Sequence, residues 1–477
     1  MKRFTASASI IYICFTAAIG GLLFGFDTAV ISGTISFVKA QFVLTASEEG
    51  WFVSSGLLGC IIGVIISGFL TDRIGRKKVM IVSGVMFLLS GFGCAFAPGF
   101  TFLVIARMIG GTGVGIASVV SPMYIAEFAP ASTRGKMIAY YQLAITIGIL
   151  LAYFSNAFLL KLSQNNIHNS FLHWFLQKET WRPMFLMMSI PSAIFIAMLV
   201  YIPESPRWLF FIEKREQAAN ILNAIRGSVG ARKELDDMNI AATKNLMGHG
   251  SVFNRSLRLP LLIGITLAIL QQFCGINAII YYGPRIFESA GIARGNALVF
   301  QVIIGLINLL FTFVAIKYSD KYGRKFLLLT GLTGIIASLV FCGVLFYVGN
   351  SNGVLLLCMI MLFIACFALS LGPITWIIIN EIFPTEVRSK AVALCTFSLW
   401  GAVWIVGQFF PWLLEKAGPA FTFWTFAFFS LFNFVFTFRI VKETKNKTLE
   451  EVEQLFTSRS QPTNPTPRAN DRDQNLR

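Results

Sequence analysis

Two short polar blocks recur along this chain at nearly one interval. Asp72-Arg73-Ile74-Gly75-Arg76-Lys77 returns 248 positions later as Asp320-Lys321-Tyr322-Gly323-Arg324-Lys325. Glu127, Pro130, Arg134 and Lys136 return as Glu381, Pro384, Arg388 and Lys390 at an offset of 254. Each copy is wedged between long apolar runs, so the chain reads as one membrane unit duplicated in parallel. Repeats of this kind are a habit of secondary transporters, whose binding site lies near the midplane where the repeats meet.

Composition agrees: 56% of residues are hydrophobic and only 13% are charged, which no soluble globular domain of this length shows. Spans of roughly 20 apolar residues suffice to cross a bilayer. Twelve are found, over 9–33, 50–70, 79–97, 101–124, 137–160, 183–202, 259–283, 296–318, 326–348, 354–379, 391–414 and 421–440. The expected fold class is therefore an all-α membrane protein of twelve helices in two six-helix bundles.

A net charge of +16 would suit a nucleic-acid partner if it were clustered on a soluble face. Its distribution argues for topology instead. With both termini inside, only Lys39, Lys161, Lys178, Arg182, Arg285, Arg294 and Lys416 of the 39 basic residues lie outside, and Arg107 alone lies within the membrane. The rest crowd the cytoplasmic segments, as the positive-inside rule requires. The first span follows Lys2 and Arg3 like a signal sequence but is too long and lacks a cleavage site, so it is expected to be retained as a helix. All eight cysteines fall in apolar spans and read as packing residues.

The expected organisation is an N-terminal bundle over 1–202, a cytoplasmic linker with short amphipathic helices over 203–258, a C-terminal bundle over 259–440, and a tail over 441–477 that is disordered beyond 457. His168 and His173 in the outer segment 161–180 lack a third ligand, so neither a metal nor any other cofactor is expected. No GxxxxGK[ST] motif occurs, and nothing resembles an enzyme's partnered nucleophile.

Three groups of residues carry the expected chemistry. Asp27 in the first span and Arg107 in the fourth are the fully charged residues away from helix ends. A centred charge costs about 2.5–3.5 kcal/mol even on the lenient insertion scale, so the two should pair, and protonating Asp27 would release Arg107. The seventh span carries the amides Gln271, Gln272 and Asn277 with Tyr281 and Tyr282, and is expected to break around Gly275, Gly283 and Pro284. Neutral donors and acceptors in such density suit hydroxyls, and Gln142 and Asn308 add further amides. The tenth span reads Gly372-Pro373-Ile374-Thr375-Trp376, where the proline predicts a second break and Trp376 offers a face to a sugar ring. The repeated loops place Asp72, Arg73, Gly75, Arg76, Arg134, Asp320, Gly323, Arg324 and Arg388, with Arg207, near Glu127, Glu204 and Glu381. Such pairs could latch the cytoplasmic face.

The paired DRIGRKK and DKYGRK loops, PMYIAE at 122–127, PESPRWL at 203–209, QQFCGINAIIYYGP at 271–284, GPITW at 372–376, EIFPTEVRSKA at 381–391 and KETKNKTLEE at 442–451 together resemble the sugar porter family of the major facilitator superfamily. Within it the chain is most similar to bacterial xylose–proton symporters, and more distantly to the facilitative glucose carriers of animals. The resemblance implies a proton-coupled monosaccharide importer of the inner membrane, with sugar and proton as partners and a monomeric state. It implies Asp27 as the coupling carboxylate with Arg107 as partner. It implies Phe24, Gln142, Gln271, Gln272, Asn277, Tyr281, Asn308, Gly372, Trp376 and Trp400 at the sugar site, and Tyr282 and Pro373 as gating positions. Two departures stand out: Leu399 precedes Trp400 where the family places an amide, and Met188 stands where the xylose symporters carry an additional acid.

Overall fold

The computed structural model describes residues 6–445, apart from 131–132, 166–167, 248–253, 255–256, 350–352 and 385–386. Among them twelve helices are long and apolar enough to cross a membrane. In the first half these are α1 (Ile10–Phe42), α2 (Ala46–Ile74), α3 (Arg76–Ala95), α4 (Phe100–Phe128), α5 (Gly135–Leu162) and α6 (Trp181–Tyr201). In the second they are α7 (Arg258–Ser289), α8 (Arg294–Tyr318), α9 (Arg324–Tyr347), α10 (Gly353–Glu381), α11 (Lys390–Lys416) and α12 (Gly418–Arg439). Phe15, Ile65, Phe69, Phe154, Phe428 and Phe438 are all more than half exposed, a belt that only a lipid surround can cover.

Lipid removes the hydrophobic drive between helices, so close approach has to supply their cohesion. Glycine provides it. On α2 and α4, Gly59, Gly63, Gly111 and Gly115 face the other helix's backbone so closely that a Cβ on any of them would collide with a carbonyl oxygen of Met108, Thr112, Gly56 or Cys60 respectively. Gly25 and Gly148 do the same between α1 and α5, against the carbonyls of Ile145 and Leu22. In the second half, Gly343 of α9 makes room for Trp424 of α12, whose Nε1 donates to the Val340 carbonyl at 3.3 Å.

Two helices are broken, α7 at Gly275, one of the residues marked for it, and α10 a few residues before Gly372-Pro373. In α7 the chain turns at Gly275, which has φ +90°, between helical segments Arg258–Phe273 and Ile276–Ser289. Gly283 and Pro284 lie inside the second segment and do not interrupt it. In α10 the irregular residue is Ser370, with φ −125° and ψ −88°, between Gly353–Leu369 and Leu371–Glu381. Pro373 falls in the first turn of the new segment, where an N–H would have had no helical acceptor.

The linker forms helices over Pro206–Phe211 and Arg215–Met247, the latter bent at Gly227 with φ +72°. Trp208, Leu209, Phe210, Ala218, Leu222, Ala231 and Met238 bury together as a small core of their own. The expected disordered tail lies outside the described residues, as does the structure of everything beyond Lys445.

Gly111→Leu should drive a side chain into the Gly56 backbone and destabilise the protein by about 1–3 kcal/mol. A lower unfolding midpoint in detergent, with Gly68→Leu unchanged because nothing lies within 4 Å of a Cβ there, checks it.

Candidate functional site

Asp27 and Arg107 meet in the first half, with Arg107 Nη1 donating to Asp27 Oδ1 at 3.1 Å and each residue 3% exposed. Room for the guanidinium exists because position 56 has no side chain: a Cβ there would lie 2.9 Å from Arg107 Nη2. The Phe185 ring lies 5.6 Å from the Arg107 carbon that joins its nitrogens. Among the described residues this single bond is the pair's whole connection, and Arg107 Nε has no hydrogen-bond partner. A buried pair built for stability would be bidentate and fully bonded. This pair has one bond.

Met188 is fully buried in α6, so no acid from that position supplements Asp27. The neighbouring Ser189 Oγ is buried without a partner, packed toward Gly91 of α3.

The two broken helices are tied to each other by amides. Asn277 Nδ2 donates to Gln272 Oε1 at 2.5 Å, Gln272 Nε2 donates to Gln271 Oε1 at 3.4 Å, and Gln271 Nε2 donates to the Leu371 carbonyl at 2.6 Å. A longer contact of 3.4 Å reaches the Gly372 carbonyl. Gln271 therefore holds the break in α10, and its donor is partly committed. Gln142 on α5 and Asn308 on α8 make no side-chain hydrogen bond to the described residues, leaving both amides available to a hydroxylated ligand. Phe24 of α1 and Trp400 of α11 approach to 5.7 Å between ring centroids, one from each half. Trp376 is half-buried on the second segment of α10, and a Cβ at Gly372 would make ordinary contact with Phe367 at 3.4 Å. Leu399 is buried beside Trp400 and offers no amide. Tyr281 is 3% exposed, and Tyr282 donates from its hydroxyl to the Gly407 carbonyl of α11 at 2.7 Å.

The halves close on the face that charge assigns to the outside. Glu49, 1% exposed at the start of α2, takes Lys39 Nζ at 2.6 Å and, across the interface, Arg285 Nε at 3.2 Å. Ser36 Oγ donates to Glu288 Oε2 at 2.9 Å, and Ser54 Oγ to Gln408 Oε1 at 2.6 Å. Lys39 and Arg285 were placed outside by the charge pattern, but their pairing through Glu49, and the bonds of Glu288 and Gln408, appear only in the fold.

On the opposite face each half clasps itself. Arg76 Nε pairs with Glu127 at 3.3 Å, Ser205 Oγ donates to the same carboxylate, and Glu204 accepts from the Lys77 N–H at 3.0 Å, where Gly75 opens α3 with φ +93°. The second half repeats the device. Arg324 Nη2 pairs with Glu381 at 3.2 Å, Thr444 Oγ1 donates to Glu381 at 2.6 Å, and Glu443 accepts from the Arg324 and Lys325 N–H groups at 2.9 and 3.0 Å beside Gly323, φ +92°. Burial pushes the Glu443 carboxyl up, but the N–H groups of Lys445, Arg324, Lys325 and Thr444 outweigh it and hold the group below its ordinary value. Glu443 was missed, although Glu204-Ser205 and Glu443-Thr444 follow the last span of their halves in the same way.

Other latch candidates are placed differently. Asp72 is largely exposed, 3.7 Å from Arg76. Arg73 lies over the Phe69 ring at 3.9 Å, Arg388 Nε donates to the Phe383 carbonyl at 3.1 Å, and Arg207 Nε has no hydrogen-bond partner. The side chains of Arg134 and Asp320 are outside the described residues. Among the described residues no ion pair joins the two halves on this face.

Residues 13–456 match the family described as "Sugar (and other) transporter", and the chain belongs to it. It is 40% identical to the arabinose-proton symporter of Bacillus subtilis (strain 168) over 448 residues, covering 94% of this chain and 95% of that protein. It is 37% identical to the D-xylose-proton symporter of Escherichia coli (strain K12) over 496 residues, covering 96% and 98%. Among solved structures, the inward open conformation of the xylose transporter XylE from E. coli superposes with a TM-score of 0.82 at 36% identity, over 94% of this chain and 100% of that one. The XylE structure bound to 6-bromo-6-deoxy-D-glucose superposes less closely, at 0.75, with 94% and 99% covered. The fold is thus the twelve-helix, two-bundle fold of a major facilitator transporter, and the protein is a multi-pass membrane carrier, not an enzyme.

Glu49→Gln should leave Lys39 and Arg285, both partly exposed, without their shared counter-charge and loosen the closed face by about 1–3 kcal/mol. Faster maleimide labelling of Ser54→Cys, which is buried in the closed interface, checks it.

Proposed function

We propose that this chain imports a monosaccharide together with a proton, by rocking its two bundles about a site between α1, α5, α7, α8, α10 and α11. The single observation that carries the reading is the buried, singly bonded Asp27–Arg107 pair in a chain whose relatives include proton symporters of arabinose, xylose and galactose. When Asp27 is ionised it holds Arg107. When it is protonated the attraction is lost, and α1 and α4 are free to shift relative to each other. Proton binding and bundle geometry are thereby coupled.

The sugar is held by neutral amides and aromatic faces. Gln142, Gln272, Asn277 and Asn308 supply donors and acceptors, Phe24, Trp376 and Trp400 supply ring faces, and Gln271 keeps the two broken helices in register while offering its second N–H. Tyr281, Gly372 and Pro373 complete the site and its access, and Tyr282 holds α7 against α11. With Leu399 in place of an amide, one sugar hydroxyl is met by an apolar side chain on α11. That favours a sugar whose corresponding position tolerates loss of a hydrogen bond.

The termini and the 203–258 linker lie in the cytoplasm, in this reading, and the membrane is the cell inner membrane. Closure through Glu49, Arg285 and Glu288 then makes the conformation inward-facing, in keeping with the closer superposition on inward open XylE. Each proton entering down the potential contributes about 2.3 kcal/mol per 100 mV, a fiftyfold accumulation of sugar at one-to-one stoichiometry.

A facilitative carrier is the second reading, favoured by Met188 in place of an acid. Asp27→Asn separates the two. It should abolish uphill uptake in sealed liposomes under an acid-outside gradient while counterflow exchange continues. Undiminished accumulation by that variant rejects the coupling role. Trp376→Ala and Gln272→Ala should each weaken sugar binding about tenfold, in line with a lost hydrogen bond or ring contact of 1–2 kcal/mol. Isothermal titration with xylose, arabinose, galactose and glucose reads both the loss and the preferred sugar.

A further inference from the structure

Pro284 lies inside the second segment of α7 and removes the N–H that would bond the Ile280 carbonyl four residues back. A carbonyl without a partner at membrane depth costs several kcal/mol, so something has to replace that donor. Two side chains do. Gln301 of α8 donates from Nε2 to the Ile279 and Ile280 carbonyls at 3.2 and 3.3 Å, and Tyr153 of α5 donates its hydroxyl to the Ile280 carbonyl at 3.1 Å. The site is built for both. Gly283 lets the Gln301 amide lie against the helix, since a Cβ there would collide with it, and Gly305 of α8 makes room for the Tyr153 ring, 2.8 Å from where its Cβ would stand. Tyr153 is 1% exposed and Gln301 fully buried.

The two donors belong to different halves. Gln301 is on the same bundle as α7 and stays with it through any rigid-body rocking. Tyr153 is on the other bundle, with its hydroxyl bonded to α7 and its ring packed on Gly305 of α8. We propose that Tyr153 is a positioning residue for transport: its hydroxyl holds the second segment of α7 in the closed position by completing the carbonyl that Pro284 leaves open. When the bundles part on this face, Tyr153 withdraws and Gln301 alone keeps Ile280 bonded. The proposal rests on the alternating-access reading above but needs neither the proton nor a particular sugar.

The division of labour gives two substitutions opposite effects. Tyr153→Phe keeps the ring in its Gly305 socket and removes only the cross-half bond, so it should shift the equilibrium about three- to fivefold away from the closed form, the range expected for one hydrogen bond in a membrane protein. Gln301→Leu leaves Ile280 dependent on Tyr153, so the parted form alone has an open carbonyl and the closed form should gain.

The test is hydrogen–deuterium exchange on the purified full chain in lipid nanodiscs, without sugar. Tyr153→Phe should raise exchange over 36–50 and 276–290 and lower it at the opposite face over 74–80 and 322–328, whereas Gln301→Leu should do the reverse. Unchanged exchange in Tyr153→Phe, or an equal rise at both faces as simple destabilisation would give, overturns the proposal. So does a change of the same sign in both variants. Because no sugar is present, failure of uphill uptake would reject the symport reading and leave this result standing.

Discussion

Every backbone carbonyl that a membrane helix leaves open has to find a donor inside the protein, and much of this structure follows from that demand. The breaks at Gly275 and Ser370 put irregular backbone at membrane depth in the second half. The Leu371 carbonyl is taken by Gln271, and the Ile280 carbonyl by Gln301 and Tyr153. The amide cluster of α7 thus serves two ends at once. One end of the Asn277–Gln272–Gln271 chain secures the scaffold, and the other is the end proposed above to meet sugar. A cluster made this way is rigid because its own members hold the helices that carry it.

The same economy explains why charge is handled so differently at the three levels of the molecule. At the centre of the first half, one buried acid meets one buried guanidinium through a single bond, an arrangement that gains little stability and that the proposed coupling would use as its proton-sensitive element. On the face with the repeated loops, carboxylates are multiply bonded to helix N-termini and to arginines of their own half. Those ends remain capped whether the halves meet there or not. On the other face, Glu49 bridges cations from both halves. Among the described residues, the cross-half pairs named above lie on the closed face, while the carboxylates of the repeated-loop face are bonded within their own half. That placement allows two rigid bundles to move without unmaking their own ends.

Much of this was legible in the sequence. Duplication, helix count and the Asp27 and Arg107 positions follow from hydropathy and from the high cost of charge in hydrocarbon. The amide set of the seventh span was visible because amides are rare there. What escaped reading has a common physical character. The α10 break moved to Ser370 because a proline is tolerated in a first helical turn, where its missing N–H is harmless, so Pro373 marked the start of the new segment and not the irregular residue itself. Pro284 was read as a break in α7, yet the helix continues through it because Gln301 and Tyr153 replace the donor it lacks. Gln301 is an amide in the same span as Asn308 and was passed over, and Tyr153 carries no local signal. Glu49, Glu288 and Gln408 likewise carry no local signal, because their meaning lies in a partner hundreds of positions away. Local pattern identifies groups that are costly in place, whereas the group that offsets the cost is set by packing.

This distinction bears on how the halves are coupled. Rocking of two bundles needs contacts between them that define each end state and still break on the transport timescale. A hydroxyl on a main-chain carbonyl, as at Tyr153 and Ile280, fits that range, since its acceptor keeps a second donor when the bond is broken. The open carbonyl created by Pro284 would be a liability if one half alone had to satisfy it. Shared between the halves, it becomes a bond whose making and breaking marks which face is closed. The proline that departs from helical rules inside α7 is therefore the feature that lets a backbone group respond to the distance between the two bundles.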